Sequence, residues 1–438
     1  MPARLNRSKL SSLLIFILAI SIIFFSCNSN TEPVVAGDEY KTTLKFAPGD
    51  EAKIIEAFLT LKDSSRIELK EGKYKFDNLS LAQLKHIEIK GEGPDKTILD
   101  FSAQSQGGEG IRVTDVKGFI IKNMRLQNSK GDLIKITKSE NVVISGLHAV
   151  WEKVADSANG GYAIYPVLCK KVLVENSYAE GASDAGIYIG QSDSAVVKNC
   201  KAYRNVAGCE IENTSNAEVY DNEFYGNTAG FLVFDLPGLS KRGGHVKAYN
   251  NFLHDNNERN FAKAGSFGTS SGVGNAAPGN GIIVLAASDV ELYNNRIINN
   301  NSCAISIASG LATDDKALEK INDAYFPFPK NIRIHDNTMQ TADSFPPPAY
   351  AHHIGKLLVG IEQMLNATDP ARKNKRIPFI LYDGITTNIL TKGTAPNPDS
   401  ICIKQSGENL FVNGDLLNIN NPKVWKPNTN IAPFICNQ

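Results

Sequence analysis

Glu210 and Glu212 stand two residues apart in the run Gly208-Cys209-Glu210-Ile211-Glu212. In an extended strand, residues i and i+2 point to one side and lie about 6.6–7 Å apart. Two carboxylates that close either share a proton or neutralise a cation. Asp184, Asn213 and Asp235 flank equivalent runs. With Glu210 and Glu212 they make an oxygen-rich set of the kind that holds calcium. Lys135, Glu210 and Tyr188 are the candidate acid–base residues, with Arg112 as a further cation near the same face.

These side chains share a face only if the runs that carry them are stacked, and the sequence says that they are. Ala163-Ile164-Tyr165-Pro166-Val167, Gly186-Ile187-Tyr188-Ile189-Gly190, Gly208 to Glu212 and Gly230-Phe231-Leu232-Val233-Phe234 repeat one pattern. Their opening small residues recur after 23, 22 and 22 residues. Secondary runs such as Val172-Leu173-Val174-Glu175-Asn176 and Glu218-Val219-Tyr220-Asp221-Asn222 follow at equally regular offsets. Short β-branched strands with Asn and Gly corners, at a period in the low twenties, predict a parallel β-helix. One such coil cannot bury its apolar face alone and is stable only between neighbours.

Counting the opening residue as zero, positions one and three are apolar and point inward, as in Ile187/Ile189 and Phe231/Val233. Positions two and four then face outward. Position two reads Arg112, Lys135, Tyr165, Tyr188, Glu210, Leu232, Ile283 along successive coils, and Gln191, Asn213 and Asp235 lie just beyond position four. A row running from basic through aromatic to acidic suits an extended polymer, since rings offer flat apolar surfaces and charges fix hydroxyls and carboxylates. Trp151 on one insertion, and Lys241, Arg242 and His245 on another, flank the row. The candidate binding residues are therefore Arg112, Tyr165, Tyr188, Gln191, Trp151 and His245. Open space above Tyr188 and Glu210 is what an enzyme or lectin needs, whereas cover by residues 254–280 fits a structural role. Asn123, Asn176, Asn199, Asn222, Asn251, Asn295 and Asn337 are expected to form one structural ladder at the turn after the second strand.

Along the chain, Arg4, Arg7 and Lys9 precede an apolar run from Leu13 to Phe25 that closes on Ser26-Cys27. This reads as an export signal over residues 1–27, with Cys27 the residue to be lipidated. Residues 28–42 read as a tether and 43–340 as the β-helix, with a short helix near Asp50–Lys62 as its N-terminal cap. Residues 341–438 read as an irregular wrapping segment, with a helix near Ile354–Asn366 and late strands at 401–403 and 410–412. Asp314–Ala324 is expected to be a looped-out helix. In an exported chain, Cys402 and Cys436 are candidates for a disulfide, and Cys169, Cys200, Cys209 and Cys303 for buried thiols. The 46 basic and 46 acidic residues cancel, so no net field draws in nucleic acid or acidic lipid.

The stretches 181–192, 206–213 and 232–238 resemble exported bacterial right-handed parallel β-helix repeat proteins, the class of pectate lyases, alginate lyases and uronan epimerases, and within it a lipoprotein branch. The resemblance covers roughly residues 45–340 and the last forty. It implies the fold, export, a membrane anchor through Cys27 and a polysaccharide partner. The Asp-Pro-His-Asp motif of mannuronan epimerases and the Gly-His-Gly and Arg-Ile-Lys motifs of polygalacturonases are missing, so neither activity is expected. Three functions stay open. The first is binding of an acidic polysaccharide with lyase-type cleavage, calcium acidifying the uronate α-proton and Lys135 or Arg112 abstracting or stabilising it. The second is hydrolysis by Glu210 with a second carboxylate. The third is a non-catalytic protein docking partners in the cell envelope.

Overall fold

The protein is a right-handed parallel β-helix, seen here in a computed structural model that describes residues 39–263, 272–342, 344–368, 378–407 and 410–436. The signal segment, Cys27 and most of the tether lie outside the described residues. Each coil contributes one strand to a smaller sheet, which among the described residues has eleven strands and carries every candidate run. The rest of the coil belongs to a larger sheet that bends around the opposite side. Lys117–Gln127 and Glu140–Val150 turn that bend as unbroken strands, while later coils split it into a six- and a three-residue strand. All the strand ladders are parallel, so one coil's residue lies directly under its equivalent in the next.

The small opening residue has a steric cause. A Cβ on Gly208 would lie 2.5 Å from the Gly230 carbonyl oxygen and 3.1 Å from Phe224 Cβ. Inward positions one and three fill the core as expected: Ile187, Ile189, Cys209, Ile211, Phe231 and Val233 are all buried. Cys169, Cys200, Cys209 and Cys303 are buried free thiols.

The expected asparagine ladder divides in two. Asn123, Asn176 and Asn199 occupy the left-handed position at the bend, where Asp221, Asn250, Asn294 and Asp336 succeed them. Asn222, Asn251, Asn295 and Asn337 lie one residue further on and point inward. The amide of each donates to the next Oδ1 at 2.9, 3.0 and 2.9 Å, and the Asn337 backbone N–H donates to Gln405. A second inward ladder, Asn205, Asn227, Asn256 and Asn300, runs at the next corner with rungs of 3.1, 2.9 and 2.9 Å. Both satisfy buried backbone groups where the chain turns and no strand partner is available.

The N-terminal cap is the helix Glu51–Thr60, whose Ile54, Ala57 and Phe58 close the core. At the other end the solenoid continues past residue 340. Ile380–Tyr382 pairs with the Cys303–Ala308 strand, Phe411–Asn413 pairs with Ile380–Tyr382, and Cys402–Lys404 extends the larger sheet. The helix near 354–366 spans His353–Thr368, and Cys402–Cys436 is a disulfide. The looped-out segment is not an α-helix. Its helical part is the 3₁₀ turn Ala317–Lys320, and Asn322 then bridges to Tyr325. Among the described residues no helix is long and apolar enough to cross a membrane.

Candidate functional site

Register puts the predicted outward row in place. On the smaller sheet Arg112 pairs with Lys135, Lys135 with Tyr165, Tyr188 with Glu210, Glu210 with Leu232, and Leu232 with Ile283. The neighbouring row runs Val167, Gly190, Glu212, Phe234, Leu285. Exposure changes along it. Arg112 is exposed, Lys135 and Tyr165 are partly exposed, and Tyr188, Glu210 and Glu212 are buried.

At the open end, Arg112 donates to Glu109 at 2.9 Å, and Lys135 Nζ lies 4.0 Å from the same carboxylate. Lys135 also sits 4.5 Å over the Tyr165 ring. Tyr162, Tyr165 and Tyr188 form one aromatic cluster with centroids 4.3–4.7 Å apart. The Tyr188 hydroxyl donates to Glu212, and Tyr162 lies beside Asp184. The sequence reading missed Tyr162 and Asp132, which stand one residue before the opening positions and not in the outward rows. Asp132 accepts the Tyr162 backbone N–H at 3.1 Å.

Burial governs the electrostatics. It pushes the carboxyls of Asp132, Glu212 and Asp235 up to about 7, and nearby acids add to the rise at Asp132 and Glu212. Asp184 and Glu210 rise for the same reason, Asp184 also through Glu212 and Asp132 and Glu210 also through Asp184 and Glu212. Among the described residues, Asp184 Oδ1 and Glu210 Oε1 have no hydrogen-bond partner. Buried acids without a partnered cation oppose stability, and such clusters recur at functional sites.

Several expected site residues do other work. Trp151 is buried in the core, its indole N–H donating to the Ser129 carbonyl at 2.8 Å, so it cannot contact a ligand on the outer face. His245 opens the strand Gly244–Tyr249 of the larger sheet, on a different face from Tyr188. Gln191 accepts from Ser240 at 2.9 and 2.8 Å. The Asn213 amide holds the Leu236 and Lys241 carbonyls and its oxygen takes the Leu236 N–H, while Asp235 takes the Gly243 N–H at 3.1 Å. These three residues fasten the 235–243 loop, so Asn213 and Asp235 are not free to complete a calcium site with Asp184, Glu210 and Glu212. Among the described residues no three His, Cys, Asp or Glu side chains are placed to hold a metal.

The face is also covered. Val273 and Ala276 pack with Tyr188 and Leu232. Asn260 secures that turn through the Val273 and Ala276 carbonyls at 2.9 Å each. His352 Nε2 lies 3.0 Å from the Gly274 carbonyl and His353 Nε2 lies 2.8 Å from Asn275 Oδ1, which ties the turn to the start of the C-terminal helix. Arg259 reaches the Ala155 carbonyl at 2.7 Å, so the two insertions meet. Cover over Tyr188 is therefore the arrangement expected of a structural role. Beneath it Glu210 lines a cavity of ≈ 130 Å³ between the sheet and the helix.

Residues 86–238 match the family described as "Right handed beta helix region". No curated protein matches the sequence. Among solved structures, the chain is similar to the Azotobacter vinelandii mannuronan C-5 epimerase AlgE4 A-module, at 16% identity and a TM-score of 0.46, covering 67% of this chain and 84% of that one. It is similar to the polygalacturonase of Erwinia carotovora ssp. carotovora at 11% identity and a TM-score of 0.43, covering 72% and 96%. It is similar to pectate lyase Pel9A at 13% identity and a TM-score of 0.36, covering 72% and 81%. Likeness at these levels assigns no activity to this chain.

Proposed function

We propose that the protein binds a uronate-containing polysaccharide at the Arg112–Lys135–Tyr165 end of the outer face, with one chain end meeting the tyrosine–carboxylate cluster. The observation that carries this reading is the passage from exposed cations and a half-open ring to buried acids held near neutral pH. Arg112 and Lys135 match a uronate carboxylate, and Tyr165 offers an edge of apolar ring to the sugar. Lyase-type cleavage is the chemistry that fits. Ionised Glu212 draws the Tyr188 hydroxyl proton as Tyr188 takes the proton beside the carboxylate. The electron pair forms the ring double bond as the glycosidic bond breaks, and the proton held on Glu212 returns through Tyr188 to the departing glycosidic oxygen. An acid near 7 is suited to this transfer at neutral pH. The closed far end favours attack at a chain terminus over attack along an extended strand.

Export and anchoring through Cys27 belong to the same proposal, supported by the Cys402–Cys436 disulfide, which suits an oxidising compartment. A non-catalytic envelope docking protein is the second reading, favoured by the cover that Val273 and Ala276 place on Tyr188. The test is a panel of acidic and neutral polysaccharides, with and without calcium, followed by the ultraviolet absorbance of unsaturated uronates and by reducing ends. Both signals rising, and both lost in Tyr188→Phe and Lys135→Ala, support the lyase. Reducing ends alone mean hydrolysis. Silence in both, with no saccharide binding, leaves the docking protein.

A further inference from the structure

The cavity beneath the C-terminal helix has a composition unlike the rest of the outer face. Its walls are aliphatic and aromatic: Leu232, Phe234 and Ile283 from the sheet, Val273 from the covering turn, and Leu358 and Ile361 from the helix. Two carboxyls stand among them, those of Asp383 and Glu210, and Asp383 is already engaged, accepting the Ser309 and Ile385 backbone N–H groups at 2.6 and 3.0 Å. Glu210 is 2% exposed and its Oε1 has no hydrogen-bond partner among the described residues. A buried polar atom left unpaired opposes folding. In a native structure it calls for an explanation, a bound partner being one. The ladders, caps and core use Glu210 for nothing else, and a leucine in its place would continue the row that Leu232 and Ile283 occupy.

We propose that this cavity binds a small apolar alcohol, one ring in size, whose hydroxyl pairs with the Glu210 carboxyl. The size follows from the volume: a cavity of roughly 150 Å³ lined by Leu, Ile and Phe takes up benzene, and this one holds ≈ 130 Å³. The polar group follows from the state of Glu210. Burial, with Asp184 and Glu212 nearby, raises its carboxyl well above the usual carboxylate range and so favours the neutral acid. A neutral acid both donates to and accepts from a hydroxyl, whereas an ammonium would enter aliphatic walls without its hydration shell. The site stands apart from the saccharide reading. It needs no polysaccharide, and an inactive protein can still have it.

Calorimetric titration of the full-length mature protein with benzyl alcohol, toluene and benzylamine tests the assignment. Benzyl alcohol and toluene are both expected to bind, and Glu210→Leu is expected to lower the benzyl alcohol-to-toluene affinity ratio by about fivefold, one hydrogen bond's worth. Ala276→Leu, which fills the cavity from the covering turn and leaves Glu210 in place, is expected to abolish both. Should Glu210→Leu fail to fold, Glu210→Met, an unbranched side chain with no hydrogen-bond donor, supplies the same ratio with a smaller change of shape. No binding by either neutral compound, binding that survives Ala276→Leu, an unchanged ratio in the Glu210 variants, or benzylamine binding tighter than benzyl alcohol would each overturn it.

Discussion

Replacing Glu212 by glutamine removes an ionisation while keeping an oxygen that accepts the Tyr188 hydroxyl. In the folded chain, burial and the neighbouring Asp235 hold Glu212 at about 7, against 4.5 for a free glutamate. Between those two values the folded chain binds the extra proton. Stability is therefore greatest below about pH 4.5 as far as this group is concerned, falls as pH rises through 7, and levels off above. The gap of about 2.5 pKa units corresponds to roughly 3 kcal/mol. Glu212→Gln cannot lose that proton. It is expected to match the wild type in acid and to exceed it by up to about 3 kcal/mol in mild alkali. Urea unfolding midpoints of both proteins, followed by far-ultraviolet circular dichroism from acid to mild alkali, provide the measurement. Parallel curves for the two proteins would refute the reasoning, because they would mean that Glu212 ionises in the folded state as freely as in the unfolded one.

Asn251→Ala deletes one rung of a buried ladder, leaving the Val219 carbonyl and the Asn222 backbone N–H without their partners. A loss of about 3 kcal/mol is expected in urea unfolding, several times that of a surface Asn→Ala change. Gly208→Val drives a Cβ to 2.5 Å from the Gly230 carbonyl oxygen, so the chain is expected to be recovered mainly insoluble, while Gly360→Ala, in the C-terminal helix with nothing within 4 Å, stays soluble. Reduction of Cys402–Cys436, which spans 34 residues, removes roughly 4 kcal/mol of chain-entropy stabilisation. Amide exchange is expected to rise first in the Cys402–Lys404 and Phe411–Asn413 strands and to stay slow in the central coils. Trp151→Phe is expected to leave saccharide binding unchanged while lowering stability by about 1–3 kcal/mol, as read by a binding titration alongside urea unfolding.

The coils were legible because a solenoid writes its tertiary contacts locally. Ile187 meets Cys209 and Cys209 meets Phe231 at one fixed offset, so a period in the sequence is also a register in space. The middle of the outward row, from Tyr165 through Tyr188 and Glu210 to Leu232, follows from nearly the same offset of 23, 22 and 22 residues. Cover is not periodic. Val273 packs near Tyr188 and the Ile354–Ile361 stretch caps the Glu210 cavity across intervals of about 85 and 150 residues that no repeat encodes. Trp151 read as a ligand platform because aromatic residues in insertions often are, yet its indole found a core carbonyl. The asparagine ladder was displaced by one residue because two adjacent positions both favour Asn, one for left-handed backbone and one for its amide. Composition cannot separate those two reasons, and only the Asp221-Asn222 and Asp336-Asn337 pairs hint at the difference.

The two ends of the solenoid have unlike finishes. At the start, the edge strand Thr42–Phe46 carries Lys45 on its outer side, and the cap helix seals the core. At the finish the chain doubles back on itself. Asn428 bridges to the last strand of the smaller sheet, Ile435 bridges to the last strand of the larger one, and the disulfide locks the second contact. An unfinished stack of parallel coils is a template on which another copy can grow, and here the tail occupies that template from within the same molecule. The rod is thereby a ruler. The eleven strands of the smaller sheet among the described residues, at about 4.8 Å each, set a span of roughly 50 Å, a length written into the number of coils.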